Sequence, residues 1–375
     1  MPSTLPLKQA IAALVLALAV AAPWLLTGYD LNLLARFLAL SLTAMGLVLL
    51  WGEGGVLSLG QGVFFGIGGY AIAMHLKLID LSPSELPDFM VWSGVKTLPH
   101  WWVPFRSGLF SMLAILVVAP AIAALFAWAI FRRRIGGVYF ALITQALALA
   151  FATLLISQQD MTGGFNGLTN YSTLFGFNLN RPSTTTALYF ITLVLVLAAL
   201  FALRWLIASR FGKLLRASRD GANRLRFLGY DPTPYKVIAF TVAALLTSIS
   251  GALFTLHAGV VSPALVGVVP SIEMVIWVAI GGRESVLGAL AGALLVNFAK
   301  DKVSTALPEL WLYALGTLFI LAVTVLPKGL AGLFGPDTPF RAARTGDMFA
   351  RWRKDKAETE RAHHSAPQPH SEPVK

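Results

Sequence analysis

Residues 209–230 read Ser209-Arg210-Phe211-Gly212-Lys213-Leu214-Leu215-Arg216-Ala217-Ser218-Arg219-Asp220-Gly221-Ala222-Asn223-Arg224-Leu225-Arg226-Phe227-Leu228-Gly229-Tyr230, with long apolar runs on both sides. Six basic side chains (Arg210, Lys213, Arg216, Arg219, Arg224 and Arg226) stand against one acid, Asp220. A short basic loop between hydrophobic spans belongs on the cytoplasmic side of a membrane. Its spaced Gly, Leu and Asp residues also suggest an organised docking surface. The segment therefore bears on both topology and function.

Composition supports the membrane reading. Of 375 residues, 57% are hydrophobic and only 13% are charged, against about 25% charged in a soluble domain. Apolar runs long enough to cross a bilayer recur along the chain. With no cysteine, disulfides and thiolate metal sites are excluded. The net charge of +11 does not point to nucleic acid, because the basic residues lie in short loops and the C-terminal tail, where they carry orientation information.

Candidate spans are 9–27, 31–51, 62–80, 107–131, 137–157, 187–208, 235–258, 265–281, 286–300 and 310–326. Lys8 and the small residues Ala19-Val20-Ala21 resemble parts of a signal peptide. The apolar run continues through Trp24-Leu25-Leu26, so an uncleaved first span is expected. The fourth span ends at Arg132-Arg133-Arg134, the sixth at the basic loop, and the last at Pro327-Lys328. Placing those three ends in the cytoplasm gives an all-α polytopic protein of about ten spans with both termini inside. The eighth and ninth spans are short and Gly-broken, so eight full spans plus a re-entrant pair is the alternative. Two long outer loops follow from this count. Residues 81–106 carry Trp92, Trp101 and Trp102, which suit either lipid headgroups or an external partner, and residues 158–186 are rich in Gly, Asn and Thr. The permease body is expected over 1–335. Residues 336–375 have the composition of a disordered cytoplasmic tail, whose His363, His364 and His370 lack carboxylate partners for a metal.

A loose internal repeat marks each half of the chain. Leu50-Trp51-Gly52-Glu53-Gly54-Gly55-Val56-Leu57-Ser58-Leu59-Gly60-Gln61-Gly62 is echoed by Ile276-Trp277-Val278-Ala279-Ile280-Gly281-Gly282-Arg283-Glu284-Ser285-Val286-Leu287-Gly288. Paired Gly-interrupted segments point to a transport pathway, since broken backbone is tolerated at membrane depth only where it is buried in protein or lines a cavity. Ordinary small-residue helix packing is the alternative. Ionisable groups at this depth are costly. Arg36 is expected to snorkel at the outer end of its span, and Glu273 is the candidate functional carboxylate, with an interhelical bond as its simpler role. His75 and His257 read as helix-packing residues. The pathway candidates are Ser58, Gln61, Gly62, Gln145, Glu273, Gly281 and Gly282. No G-x-x-x-x-G-K-[ST] run is present, so the chain does not bind ATP through a P-loop. No nucleophile, zincin or paired-carboxylate motif supports an enzyme.

Ser209-Arg210-Phe211-Gly212-Lys213, Ala217-Ser218-Arg219-Asp220, Leu228-Gly229-Tyr230 and Tyr235-Lys236 resemble the cytoplasmic coupling loop of ABC importer permeases of the branched-chain amino acid class. Gly54 to Tyr70 and Ser271-Ile272-Glu273 through Gly282 are similar to two further blocks of that class. Together the matches run from roughly residue 30 to 335. Within the class, Leu86-Pro87-Asp88-Phe89-Met90-Val91, Arg226-Phe227-Leu228-Gly229-Tyr230, Leu294-Leu295-Val296-Asn297 and Ala306-Leu307-Pro308-Glu309-Leu310-Trp311 look most like urea-importing members. Two features depart from the class: Gly221-Ala222-Asn223 replaces an expected acid after Asp220, and Glu53 stands where an uncharged residue is usual.

The resemblance implies a permease of a bacterial inner membrane that carries urea or a short amide and pairs with a second permease subunit. It also implies two separate ATPase subunits, which hold the ATP and Mg, and an external substrate-binding protein. No cofactor is expected on this chain. Coupling to the ATPase falls to Arg210, Gly212, Lys213, Arg216, Ala217, Arg219, Asp220, Leu228 and Gly229, with apolar contact from Leu214, Leu215, Leu225 and Phe227. A branched-chain amino acid permease, a passive urea channel and an integral membrane enzyme are the alternatives.

Overall fold

The computed structural model describes residues 5–333, apart from 83–84, 172, 175, 180, 307–308, 311–312, 314–315, 318–319, 321–323 and 325–328. The expected tail, and most of the expected last span, lie outside the described residues. The chain is helical, as the composition requires. Six stretches among the described residues are long and apolar enough to cross a membrane: Gly28–Glu53, Gly108–Arg132, Val138–Ser157, Pro182–Ala208, Thr233–Ala258 and Pro263–Gly281.

The principal helices are α1 (Leu5–Leu25), α2 (Gly28–Leu47, continued by a π-helical turn Val48–Glu53), α3 (Gln61–Leu78), α4 (Asp88–Trp92), α5 (Gly108–Leu113), α6 (Ala119–Arg132), α7 (Val138–Ser157), α8 (Gln159–Thr162), α9 (Pro182–Ala208), α10 (Arg210–Phe227), α11 (Thr233–Ala258), α12 (Val268–Gly281) and α13 (Val286–Ala306). Another π-helical turn, Ala114–Val118, joins α5 to α6 into one span. Two antiparallel ladders of two-residue strands complete the outer loops, pairing Leu168-Thr169 with Val260-Val261 and Thr173-Leu174 with Phe177-Asn178.

Helix α11 is the hub, packed against α2, α3 and α6. Its small residues Ala239, Ala243, Ala244 and Gly251 let neighbouring backbones approach, the usual basis of helix association in lipid. The span Gly28–Glu53 is 78% buried, whereas Gly108–Arg132 is 28% buried, so α2 lies in the interior and the α5–α6 span faces outward. At the outer end, Trp102 is fully buried beside Met90, and His75 Nδ1 lies 2.9 Å from the Phe105 carbonyl. Trp102 therefore packs as core under the outer loop, while Trp92 remains exposed.

Arg36 does more than snorkel. Its guanidinium donates to Asn32 Oδ1 at 2.8 Å and to the His257 carbonyl at 3.2 Å. It thereby satisfies one of the last carbonyls of α11, where a cation also opposes the negative end of the helix. His257 Nε2 lies 2.8 Å from Thr192 Oγ1, linking α11 to α9.

Candidate coupling and translocation site

Residues 210–227 form a helix that breaks direction at Gly221, whose backbone is extended. Gly212, Leu215, Ser218 and Leu225 turn inward and are buried. Arg210, Lys213, Ala217 and Asp220 face solvent at spacings of three and four residues, which places them on one stripe, and Arg224, beyond the break, is also exposed. Leu228, Gly229 and Phe227 are also exposed, Phe227 by 91%. Of the four residues expected to offer apolar contact, Leu215 and Leu225 are instead buried in the chain's own interior, and Phe227 is free to meet a partner.

Gly212 lies in the first turn of α10, just after the junction with α9 at Ser209. A Cβ there would stand 2.1 Å from the Ile207 carbonyl oxygen. Gly212→Ala should therefore displace the start of α10, costing about 1–3 kcal/mol as an overpacked contact. The expected result is a protein that still inserts in the membrane but has a lowered melting temperature, measured by thermal unfolding in detergent.

Arg216 and Arg219 stay partly exposed, yet both reach back to the end of α2. Arg216 Nε lies 3.3 Å from Glu53 Oε2, and the Glu53 side chain is 7% exposed. Arg216 also donates to the Ile207 carbonyl at 3.2 Å. Arg219 donates to Asp220 Oδ1 at 2.9 Å and to the Gly52 carbonyl. The hydrogen bond to Asp220 holds the Arg219 guanidinium above its ordinary pKa, and the charges of Glu284 and Glu53 add to this. The basic helix is thus latched to the π-helical turn that ends α2. Glu53, the departure from the class pattern, is the carboxylate that receives the latch.

The two Gly-rich breaks meet behind it. A Cβ on Gly52 would stand 1.8 Å from the Arg283 carbonyl oxygen. Gly282 has φ of 115° and closes α12 with its amide on the Val278 carbonyl at 2.8 Å. Gly281 packs against Gly288, where an added Cβ would meet the carbonyl at 2.1 Å. The echo seen in the sequence is therefore a pair of breaks in backbone contact.

From Gly54 to Gly60 the chain is non-helical, and it runs inward between helices. Leu59 donates its amide to Thr144 Oγ1 at 3.0 Å. Thr144 lies six residues into α7, roughly 9 Å along the axis from its cytoplasmic end. The Gly62 amide donates to Ser271 Oγ at 3.1 Å, and Thr247 Oγ1 donates to Gln61 Oε1 at 3.2 Å. Gln61 is fully buried and its Nε2 has no acceptor. Ser58, Gln61, Gly62, Thr144, Thr247 and Ser271 thus form a neutral polar cluster at the break. Gln145, half-buried, is the next residue on α7.

Glu273 does not join this cluster. It faces α13, where Lys300 Nζ lies 2.7 Å from Oε2 and 3.0 Å from Oε1. Pairing offsets the cost of a carboxylate at membrane depth and ties α12 to α13. Sequence reasoning missed Thr247 and Ser271 as members of the cluster, and Lys300 as the partner of Glu273. The run Thr247-Ser248-Ile249-Ser250, small and polar inside an apolar helix, is the signal that could have found Thr247. At the opposite end, a cavity of about 570 Å³ is lined by Lys77, Asp88, Trp92, Asp160 and Asn166 among others.

Comparison with known proteins bears on this arrangement. The family described as branched-chain amino acid transport system / permease component matches residues 29–324. The high-affinity branched-chain amino acid transport system permease protein LivM of Salmonella typhimurium is 26% identical, over 88% of this chain and 76% of that protein. LivH of Escherichia coli, a permease protein of the same system type, is 23% identical over 78% of this chain and 91% of its own length. The fructose import permease protein FrcC of Rhizobium meliloti is 30% identical over 35% of this chain and 39% of its own length. No solved structure matches the chain.

Proposed function

Since the chain belongs to the branched-chain amino acid transport permease component family, we propose that it is the membrane-spanning subunit of an ATP-driven importer whose ATPases are separate chains. The observation that carries this reading is the latch from Arg216 and Arg219 to Glu53 and Gly52. It joins an exposed docking stripe to broken helices in the interior.

In this mechanism two ATPase subunits bind ATP and Mg, and one seats Arg210, Lys213, Ala217, Asp220, Leu228 and Gly229. Movement of α10 is passed through Glu53 to the first break and through Gly52 to the second. The neutral cluster around Gln61 then changes its access from one side of the membrane to the other. A second, related permease chain supplies the other half of the path. This is supported by similarity to both LivM and LivH, each named as a permease protein of one transport system. An external binding protein delivers solute to the outer cavity beside Lys77 and Asp88. A bacterial inner membrane suits the relatives' sources.

For the solute, we propose urea. The polar groups of the cluster around Gln61 carry no charge, and among the described residues the two buried carboxylates, Glu53 and Glu273, are paired with cations. A narrow path with neutral donors and acceptors suits a small neutral amide. The sequence blocks around Leu86–Val91 and Leu294–Asn297 point the same way. Branched-chain amino acids are the second reading, favoured by the relatives' names and by the outer cavity, whose Lys77, Asp88 and Asp160 offer both signs of charge to a zwitterion. Uptake of labelled urea and labelled leucine in cells lacking this gene separates the two. Urea uptake is expected to be lost with leucine uptake intact, and the opposite pattern would establish the amino acid reading.

A further inference from the structure

At the cytoplasmic end, the loop after α6 and the segment after α10 enclose a cavity of about 490 Å³ lined by Trp128, Arg132, Arg134, Arg226, Tyr230 and Asp231, with Gly229 and Thr233. None of the coupling interactions described above uses its three arginines. Among the described residues, no carboxylate lies within ion-pair distance of Arg132, Arg134 or Arg226. Asp231 supplies the one acid of the lining, and its carboxylate is engaged by the Thr233 amide at 3.0 Å. Three guanidiniums facing one carboxylate leave an excess of positive charge suited to a phosphate.

Three further observations fix the setting. Trp128 is 47% exposed on the outward-facing span, and the Arg132 guanidinium stacks over its ring at 4.9 Å. A tryptophan at the end of a span sits at the headgroup level of the bilayer. Arg134 takes a left-handed backbone, with φ of 61°, a conformation uncommon for a residue other than glycine. Arg226 approaches from the other side, its guanidinium donating to Asn223 Oδ1 at 3.1 Å. Guanidinium matches phosphate oxygens in a bidentate fork.

We propose that this cavity binds the phosphate of an anionic phospholipid from the cytoplasmic leaflet, clamped between the α6–α7 loop and the end of the docking helix. A lipid held there bridges α10 to the peripheral span, independently of the Glu53 latch. Membrane lipids of negative charge attract basic segments at this depth, and here the attraction is gathered into a shaped site.

The test uses the purified full-length chain with phosphatidylglycerol, phosphatidylcholine or inorganic phosphate, read by native mass spectrometry and by melting temperature, with co-purification of a co-expressed ATPase scored for each variant. The wild type is expected to retain phosphatidylglycerol in preference to phosphatidylcholine and to melt higher with it. Arg132→Gln, Arg134→Gln and Arg226→Gln should each lower that retention about fivefold and shrink the melting shift. Arg133→Gln removes the same charge from the same loop outside the cavity lining and should behave as wild type. Equal losses in Arg133→Gln and Arg132→Gln would overturn the site in favour of diffuse attraction. Binding of inorganic phosphate with no retained lipid would overturn the lipid assignment. Unchanged lipid retention, with loss of the ATPase from the arginine variants, would assign the surface to the protein partner and overturn the proposal.

Discussion

Replacing Glu53 with glutamine is expected to leave ATP hydrolysis by the assembled complex running while solute uptake falls about tenfold, the scale of a typical coupling free energy. The substitution keeps the shape of the side chain and removes the charge that holds Arg216 at 3.3 Å. Arg216 is 40% exposed and can turn to water. The folding cost should therefore lie between that of a surface pair and that of a buried one, about 1–3 kcal/mol. The docking stripe is untouched, since Arg210, Lys213, Ala217 and Asp220 all face away from Glu53. ATPase binding should persist, and uptake per ATP hydrolysed is the quantity that changes. A variant that loses uptake and hydrolysis together would mean that Glu53 supports folding or docking and carries no motion.

Gly52→Val is expected to abolish uptake and to destabilise the chain by about 3 kcal/mol or more. The added Cβ would stand 1.8 Å from a backbone oxygen, that of Arg283, so no side-chain rotation relieves the clash. Either the first break or the turn after α12 must move, and each contains candidate pathway residues. Arg283→Ala is the matching control. It removes an exposed side chain but keeps the carbonyl, and should cost little in stability or uptake. Thermal unfolding in detergent and uptake in cells measure both effects. Normal uptake by Gly52→Val, or a loss in Arg283→Ala equal to that in Gly52→Val, would remove the contact between the breaks from the account.

Much of the fold was legible because its signals are local. Long apolar runs gave the spans, and the Arg triplet and the basic loop gave their direction. The cavity shared by Arg132 and Gly229 places those two loops at one face, as counting two spans between them requires. The basic helix α10 was legible as a pattern, yet its faces were not. Nothing in the spacing alone says that Arg216 and Arg219 reach Glu53 and Gly52 while Arg210 and Lys213 extend to solvent. That division depends on Leu215 and Gly212 being buried against α9 and the end of α2. The Gly-rich echoes were visible as breaks, whereas their contact was hidden, because it joins the Cα of Gly52 to a backbone carbonyl and leaves no side-chain signature. Glu273 was legible as a costly buried acid. Its partner Lys300 was not, since a pair across two helices depends on their tilt and offset. Glu53, read from sequence only as a departure from its class, became intelligible once the helix opposite it was in place.

In the proposed mechanism, force from the ATPase enters the pathway through the contact between α10 and the first break. Charge exchange across that contact tests it most directly. ATP-driven uptake and ATP hydrolysis are measured together in proteoliposomes containing the assembled complex with Glu53→Arg, Arg216→Glu, or both. Each single reversal is expected to lose uptake while hydrolysis continues, and the double reversal to recover a substantial part of the uptake per ATP. Normal uptake in either single variant, or a double variant no better than the worse single one, would contradict that mechanism.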